Sequence, residues 1–175
     1  MATLTLDNQS YTILASGHFC QTIVWSEDLI AKVFYNEVDA QWEFDALIEC
    51  NTINNLLPQA VELIQIEDAY LLIMERLDSI ENFTDIPLED REEMLEEFEE
   101  AVKELHLEGV AHGDIMRPYG VDDYWANIFI TTEGIRLVDI GMVYYYDEDD
   151  PLQFKERRKK DMLDISEFAN YFLFE

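Results

Sequence analysis

Apolar and polar positions alternate over the first third of the chain, and the period then changes twice. Thr3 to Leu6 and Tyr11 to Ala15 alternate as strands do, and Ser16-Gly17 supplies a turn after them. Gln21 to Trp25 and Leu29 to Phe34 follow, joined by Ser26-Glu27-Asp28 as an antiparallel hairpin would be. From Glu37 to Leu57 the spacing becomes helical: Val38, Trp42, Ala46, Ile53 and Leu57 share one broad face, and Pro58 ends the run. Val61 to Ile66 and Tyr70 to Met74 return to strand character, with a turn at Glu67-Asp68.

A strong helix is predicted from Pro87, with Glu89 and Asp90 in its first turn and Gly109 as its stop. Met94, Leu95, Phe98, Ala101, Val102 and Leu105 form its apolar stripe. Glu92, Glu93, Glu96, Glu97, Glu99 and Glu100 form a solvated face. Ile128 to Thr131 and Ile135 to Val138 make a hairpin around Glu133-Gly134. Asp150-Pro151 then caps and opens a helix reaching about Phe172. The order predicts an α+β fold in a single domain over 1–175. Residues 1–77 are strand-rich with one helix, and residues 78–175 are helical with a small hairpin.

Composition narrows the function classes. The chain holds 39 acidic against 11 basic residues, a formal net charge of −28. Such a surface repels nucleic acid and anionic membrane, so neither is expected as a direct partner, and basic proteins are attracted. Solubility explains the charge most simply; mimicry of nucleic acid toward a basic groove is the sharper alternative. No apolar run approaches a membrane span, and Met1-Ala2-Thr3-Leu4 lacks the regions of a signal peptide, so a cytoplasmic location is expected. Cys20 and Cys50 have no metal-ligand spacing and read as free thiols. Five of the 11 basic residues crowd into Lys155-Glu156-Arg157-Arg158-Lys159-Lys160, which makes a lysine elsewhere in an apolar setting worth questioning.

Three places hold an ionisable residue where chemistry would want one. Lys32 stands inside the apolar strand Leu29-Ile30-Ala31-Lys32-Val33-Phe34, where an unpartnered ammonium would be costly. An edge-strand lysine snorkelling to water is the simpler account. His112-Gly113-Asp114 follows the long helix; it suits a general base, or a plain turn. Asp139-Ile140-Gly141 closes an apolar strand, where a carboxylate is well placed for Mg²⁺.

Together, and in this order, these segments resemble the protein-kinase superfamily. Ile30-Ala31-Lys32 is similar to its Val-Ala-Ile-Lys strand, and Leu71 to Leu77 to the strand leading into its hinge. His112-Gly113-Asp114 is similar to its catalytic loop and Asp139-Ile140-Gly141 to its Asp-Phe-Gly motif. His-Gly-Asp is typical of Rio-type kinases, the small kinases of the tRNA-modification complex, and aminoglycoside and choline phosphotransferases. The ending Lys160 to Phe168 resembles the Asp-bearing helix that closes Rio-type kinases. There Asp161 would bind the catalytic-loop backbone, with Asp164 as competitor.

The resemblance implies a strand-rich N-lobe, a much reduced helical C-lobe, and ATP with Mg²⁺ as cofactors. Lys32 would hold the α- and β-phosphates, oriented by Glu43 or alternatively Glu49. Gly17 lies in the phosphate-covering loop; Met74 would back the adenine, and the backbone at Glu75 and Leu77 would meet it. Asp114 would take the acceptor's proton, and Asp139 and Asn127 would bind metal.

Two departures stand out. The loop Ala15 to Cys20 has a single glycine. The family also places its metal-binding Asn five residues after the catalytic Asp. Asn127 lies farther on, which implies an insertion within 115–126. Arg117, Tyr119, Tyr124 and Trp125 would then project near the acceptor or plug the site, with Asp122 or Asp123 as substitute metal ligands. The leading expectation is an atypical minimal kinase acting on protein Ser/Thr or a small-molecule hydroxyl. The alternative is an inactive, acidic pseudokinase-like protein that binds a basic partner.

Overall fold

The computed structural model describes residues 2–17, 20–80, 82–116 and 127–174. It is a mixed α+β structure, and the chain divides into two compact units: 1–49 with 58–76, and 50–57 with 77–175.

The first unit is built on a six-stranded antiparallel sheet. Its strands are β1 (Thr3–Leu6), β2 (Gln9–Ser16), β3 (Cys20–Val24), β4 (Leu29–Phe34), β5 (Ala60–Ile66) and β6 (Ala69–Glu75), in the order β1-β2-β3-β4-β6-β5. Helix α1 (Glu37–Asn51) starts just after β4. The period-2 alternation of a strand sends Ala31 and Val33 into one buried cluster with Leu6, Ile23, Ala69, Leu71 and Ile73. Lys32 must therefore point to the opposite face, where its cross-strand neighbours are Thr22 and Leu72.

Two features of α1 differ from the pattern in the sequence. The helix ends at Asn51, short of Leu57. The segment Asn51-Thr52-Ile53-Asn54-Asn55 is rich in side chains that compete for backbone hydrogen bonds. Asn54 does so directly, accepting from the Leu56 N–H at 3.1 Å. The buried face agrees with the expected one only in part. Ala40, Glu43, Ala46, Leu47 and Cys50 are buried in the helix and Leu57 beyond it, whereas Val38 and Trp42 are exposed.

The second unit packs α2 (Leu88–Leu107) against α3 (Pro151–Phe174). Phe98 meets Phe168 edge-on at 6.1 Å, and Phe168 stacks on Phe172 at 5.4 Å. Two short ladders complete it: β7 (Val110–Ala111) with β10 (Tyr144–Tyr145), and the hairpin of β8 (Ile128–Thr131) with β9 (Gly134–Leu137). Buried Arg136 holds the 50–57 segment to the hairpin, donating to the Leu57 carbonyl at 2.9 Å. Among the described residues, no helix is long and apolar enough to cross a membrane.

Candidate functional site

In the first unit, Lys32 donates to the Glu43 carboxylate in a buried ion pair. The strand fixes the face of the lysine, and the helix starting a few residues later brings Glu43 over that face. Gly17 closes the turn after β2, its N–H donating to the Cys20 carbonyl at 2.9 Å. His18 and Phe19 of the same loop lie outside the described residues. Met74 is buried near the end of β6. Glu75 gives its N–H to the Gln59 carbonyl at 2.9 Å.

Leu77 opens the long C-terminal part of the second unit, which brings together the remaining residues. The Asp114 N–H donates to His112 Nδ1 at 3.3 Å, and His112 Nε2 lies 3.2 Å from the Val138 carbonyl. The Val138 N–H donates to the Asn127 carbonyl at 3.0 Å, and Asn127 Nδ2 donates to the Asp114 carbonyl at 2.7 Å. These four contacts close a ring through Asp114, His112, Val138 and Asn127. The ring uses only the backbone of Asp114, and its carboxylate lies outside it. Asp139 is the next residue after Val138.

The accepting Nδ1 and donating Nε2 define a neutral His112. Burial holds its pKa below the ordinary histidine value, outweighing the opposing pull of Asp161, Asp114 and Asp139. Both candidate carboxylates thus lie close enough to the imidazole to act on its charge. The linkage has a definite sign. The unfolded chain takes up the proton as pH falls through about 6.5, whereas the folded chain resists it, so stability is lost below that pH. His112→Asn keeps an acceptor near the Nδ1 position and cannot titrate. Its stability deficit against wild type should therefore narrow as denaturation is measured from pH 7.5 down to 5.5. A constant deficit would show that His112 is not held neutral.

The loop is anchored from α3. Asp161, with no exposed surface, accepts from the Gly113 N–H at 2.8 Å and the His112 N–H at 3.0 Å. It also lies 3.0 Å from His106 Nε2. Asp164 accepts from the Met116 N–H at 3.3 Å and from Lys160 at 2.5 Å. Burial raises the Asp164 pKa against the pull of Lys160 and that N–H. Both candidate anchors hold the loop, each at a different point. Gly113 sits at φ +78°, where a Cβ would come within 2.7 Å of the Tyr144 ring, so conformation and space both require glycine.

Asp139 has φ 64° and ψ 67°, a left-handed conformation that aspartate tolerates better than most residues but that still costs on the order of 1 kcal/mol. Mg²⁺ is commonly held by one or two carboxylates together with substrate phosphates. The Asp139 carboxylate and the Asn127 amide oxygen are hard donors of that kind. Among the described residues, no group of three or more His, Cys, Asp or Glu could hold a metal by itself. Arg117, Tyr119, Asp122, Asp123, Tyr124 and Trp125 lie outside the described residues.

Three residues of this site carried no separate signal in the sequence. His106 is buried on α2 with Val102 and Leu105 and meets Asp161 of α3. Tyr144 covers Gly113, and Arg136 ties down the 50–57 segment. Their roles depend on contacts across more than thirty residues, so local pattern is silent. No protein-family model matches the chain, and no curated protein matches it.

Proposed function

We propose that the chain is an ATP- and Mg²⁺-dependent phosphotransferase of minimal, atypical protein-kinase type, acting on a Ser or Thr hydroxyl. The observation that carries this reading is the closed hydrogen-bond ring, which fixes the backbone of Asp114 and Asn127 and the residue before Asp139. Preorganisation of this kind is what phosphoryl transfer asks of a protein, since it proceeds by positioning and charge stabilisation. Asp114, left out of the ring through its carboxylate, would accept the proton of the attacking hydroxyl. Lys32, held by Glu43, would bind phosphate oxygens. Asp139 and Asn127 would hold Mg²⁺, which neutralises phosphate charge when bound.

Incubation with γ-labelled ATP, Mg²⁺ and a mixed protein acceptor tests this. Wild type should transfer label, and Asp139→Asn should lower the rate about a hundredfold, the scale of losing one transition-state charge contact. Absence of both label transfer and a nucleotide-dependent rise in Tm for the wild type would overturn the reading. The exposed glutamate face of α2 (Glu92, Glu93, Glu96, Glu97 and Glu100) supports the second reading, an acidic protein that binds a basic partner. Full cellular activity of Asp139→Asn would favour it.

A further inference from the structure

The cations of α3 are unusual for a chain with 39 carboxylates. Of Lys155, Arg157, Arg158, Lys159 and Lys160, Lys160 pairs with Asp164. Arg157 instead lies over the Tyr144 ring at 4.1 Å, and Arg158 over the Phe154 ring at 5.7 Å. Among the described residues, Lys155, Arg157, Arg158 and Lys159 have no carboxylate partner. A guanidinium stacked on a ring is oriented without being neutralised. Arg157 and Arg158 are held by these rings, and among the described residues no carboxylate answers their charge.

Lys155, Arg158 and Lys159 are exposed and share one side of the helix, since residues three and four apart are neighbours there. The same side carries two exposed leucines, Leu152 at 68% and Leu163 at 55%. The Tyr144 ring beneath Arg157 is also the ring that covers Gly113, next to Asp114. Helix α3 is thus linked to the loop assigned to catalysis by direct packing through Arg157, on a different side of the helix from Lys155, Arg158 and Lys159.

We propose that this face of α3 docks an acidic, apolar-containing segment of a partner protein; resting on the phosphotransfer reading, that segment belongs to the acceptor. From Lys155 to Lys159 the helix rises only ~6 Å, a footprint for two or three anionic groups. Nucleic acid or an anionic membrane would extend far past it onto a surface whose net charge is −28. Nucleic acid would not use Leu152 and Leu163, whereas an acidic peptide with a leucine or phenylalanine matches both charge and apolar contact.

The test uses the full chain without nucleotide and a fluorescein-labelled peptide of Glu, Leu and Ser, followed by anisotropy at low salt. Wild type should bind, with affinity falling as salt rises, and Lys155→Gln/Arg158→Gln/Lys159→Gln should bind at least tenfold more weakly. These side chains are exposed, so the variant keeps its fold, checked by an unchanged Tm. Equal affinity in the two proteins overturns the proposal, as does displacement of the peptide by an RNA oligonucleotide or phosphatidylserine vesicles at lower concentration. Docking with neither label transfer nor a nucleotide-dependent rise in Tm would sink the phosphotransfer reading alone. Transfer without docking would sink the docking proposal alone.

Discussion

Lys32→Ala is expected to destabilise the first unit by about 3–5 kcal/mol, read as a lowered urea midpoint at unchanged slope. The reason lies in what is left behind. The Lys32 and Glu43 side chains are 10% and 6% exposed, so removing the ammonium takes the paired positive charge from a carboxylate in a site with little water. Glu43→Leu should also destabilise, because it takes the paired carboxylate from a buried ammonium. The double variant Lys32→Met/Glu43→Leu should recover most of the loss, since two apolar side chains of similar size need no partner. Recovered stability without recovered label transfer would separate the pair's structural part from its chemical part. A lysine free to snorkel to water predicts under 1 kcal/mol for the single variant, and that result would remove Lys32 from the proposed site.

The same pair explains where the sequence misleads about α1. Helical spacing is scored by apolar residues, so Val38 and Trp42 mark the apparent inner face, and a glutamate counts against its own side. The actual inner positions are Ala40, Glu43, Leu47 and Cys50, together with the expected Ala46. Glu43 can be among them because Lys32 answers its charge. Strand positions were easier to read: Leu29 to Phe34 and Ile128 to Thr131 are strands over those very residues, because sheet alternation and turn residues are local. The β7–β10 ladder was not legible, since two-residue strands over thirty positions apart leave no periodic trace. Asp114 and Asp139 stood out through their short motifs. His112 and Asn127 stood out with them, but the hydrogen bonds that join His112, Asp114 and Asn127 through Val138 were not legible, because partners brought together by the fold leave no local pattern.

Asp161→Ala should produce the other large effect, a loss on the order of 3–5 kcal/mol, from several buried donors each left without an acceptor. Its two oxygens serve the Gly113 N–H, the His112 N–H and His106 Nε2, and no solvent reaches the site to replace them. Asp161→Asn is the informative companion. It keeps one oxygen, enough for Gly113, but turns an N–H toward the donors that Oδ2 had satisfied, so its loss should fall between wild type and alanine. Amide exchange gives a readout that general destabilisation does not. Under conditions where the alanine variant remains folded, His112 and Gly113 should lose protection more than Phe98 or Val102 in the α2 core. Label transfer should fall with them, because the loop that carries Asp114 loses its anchor while Lys32, Glu43 and Asp139 are untouched. Uniform loss of protection across α2 and the loop would make Asp161 a core residue only, with no special part in placing Asp114.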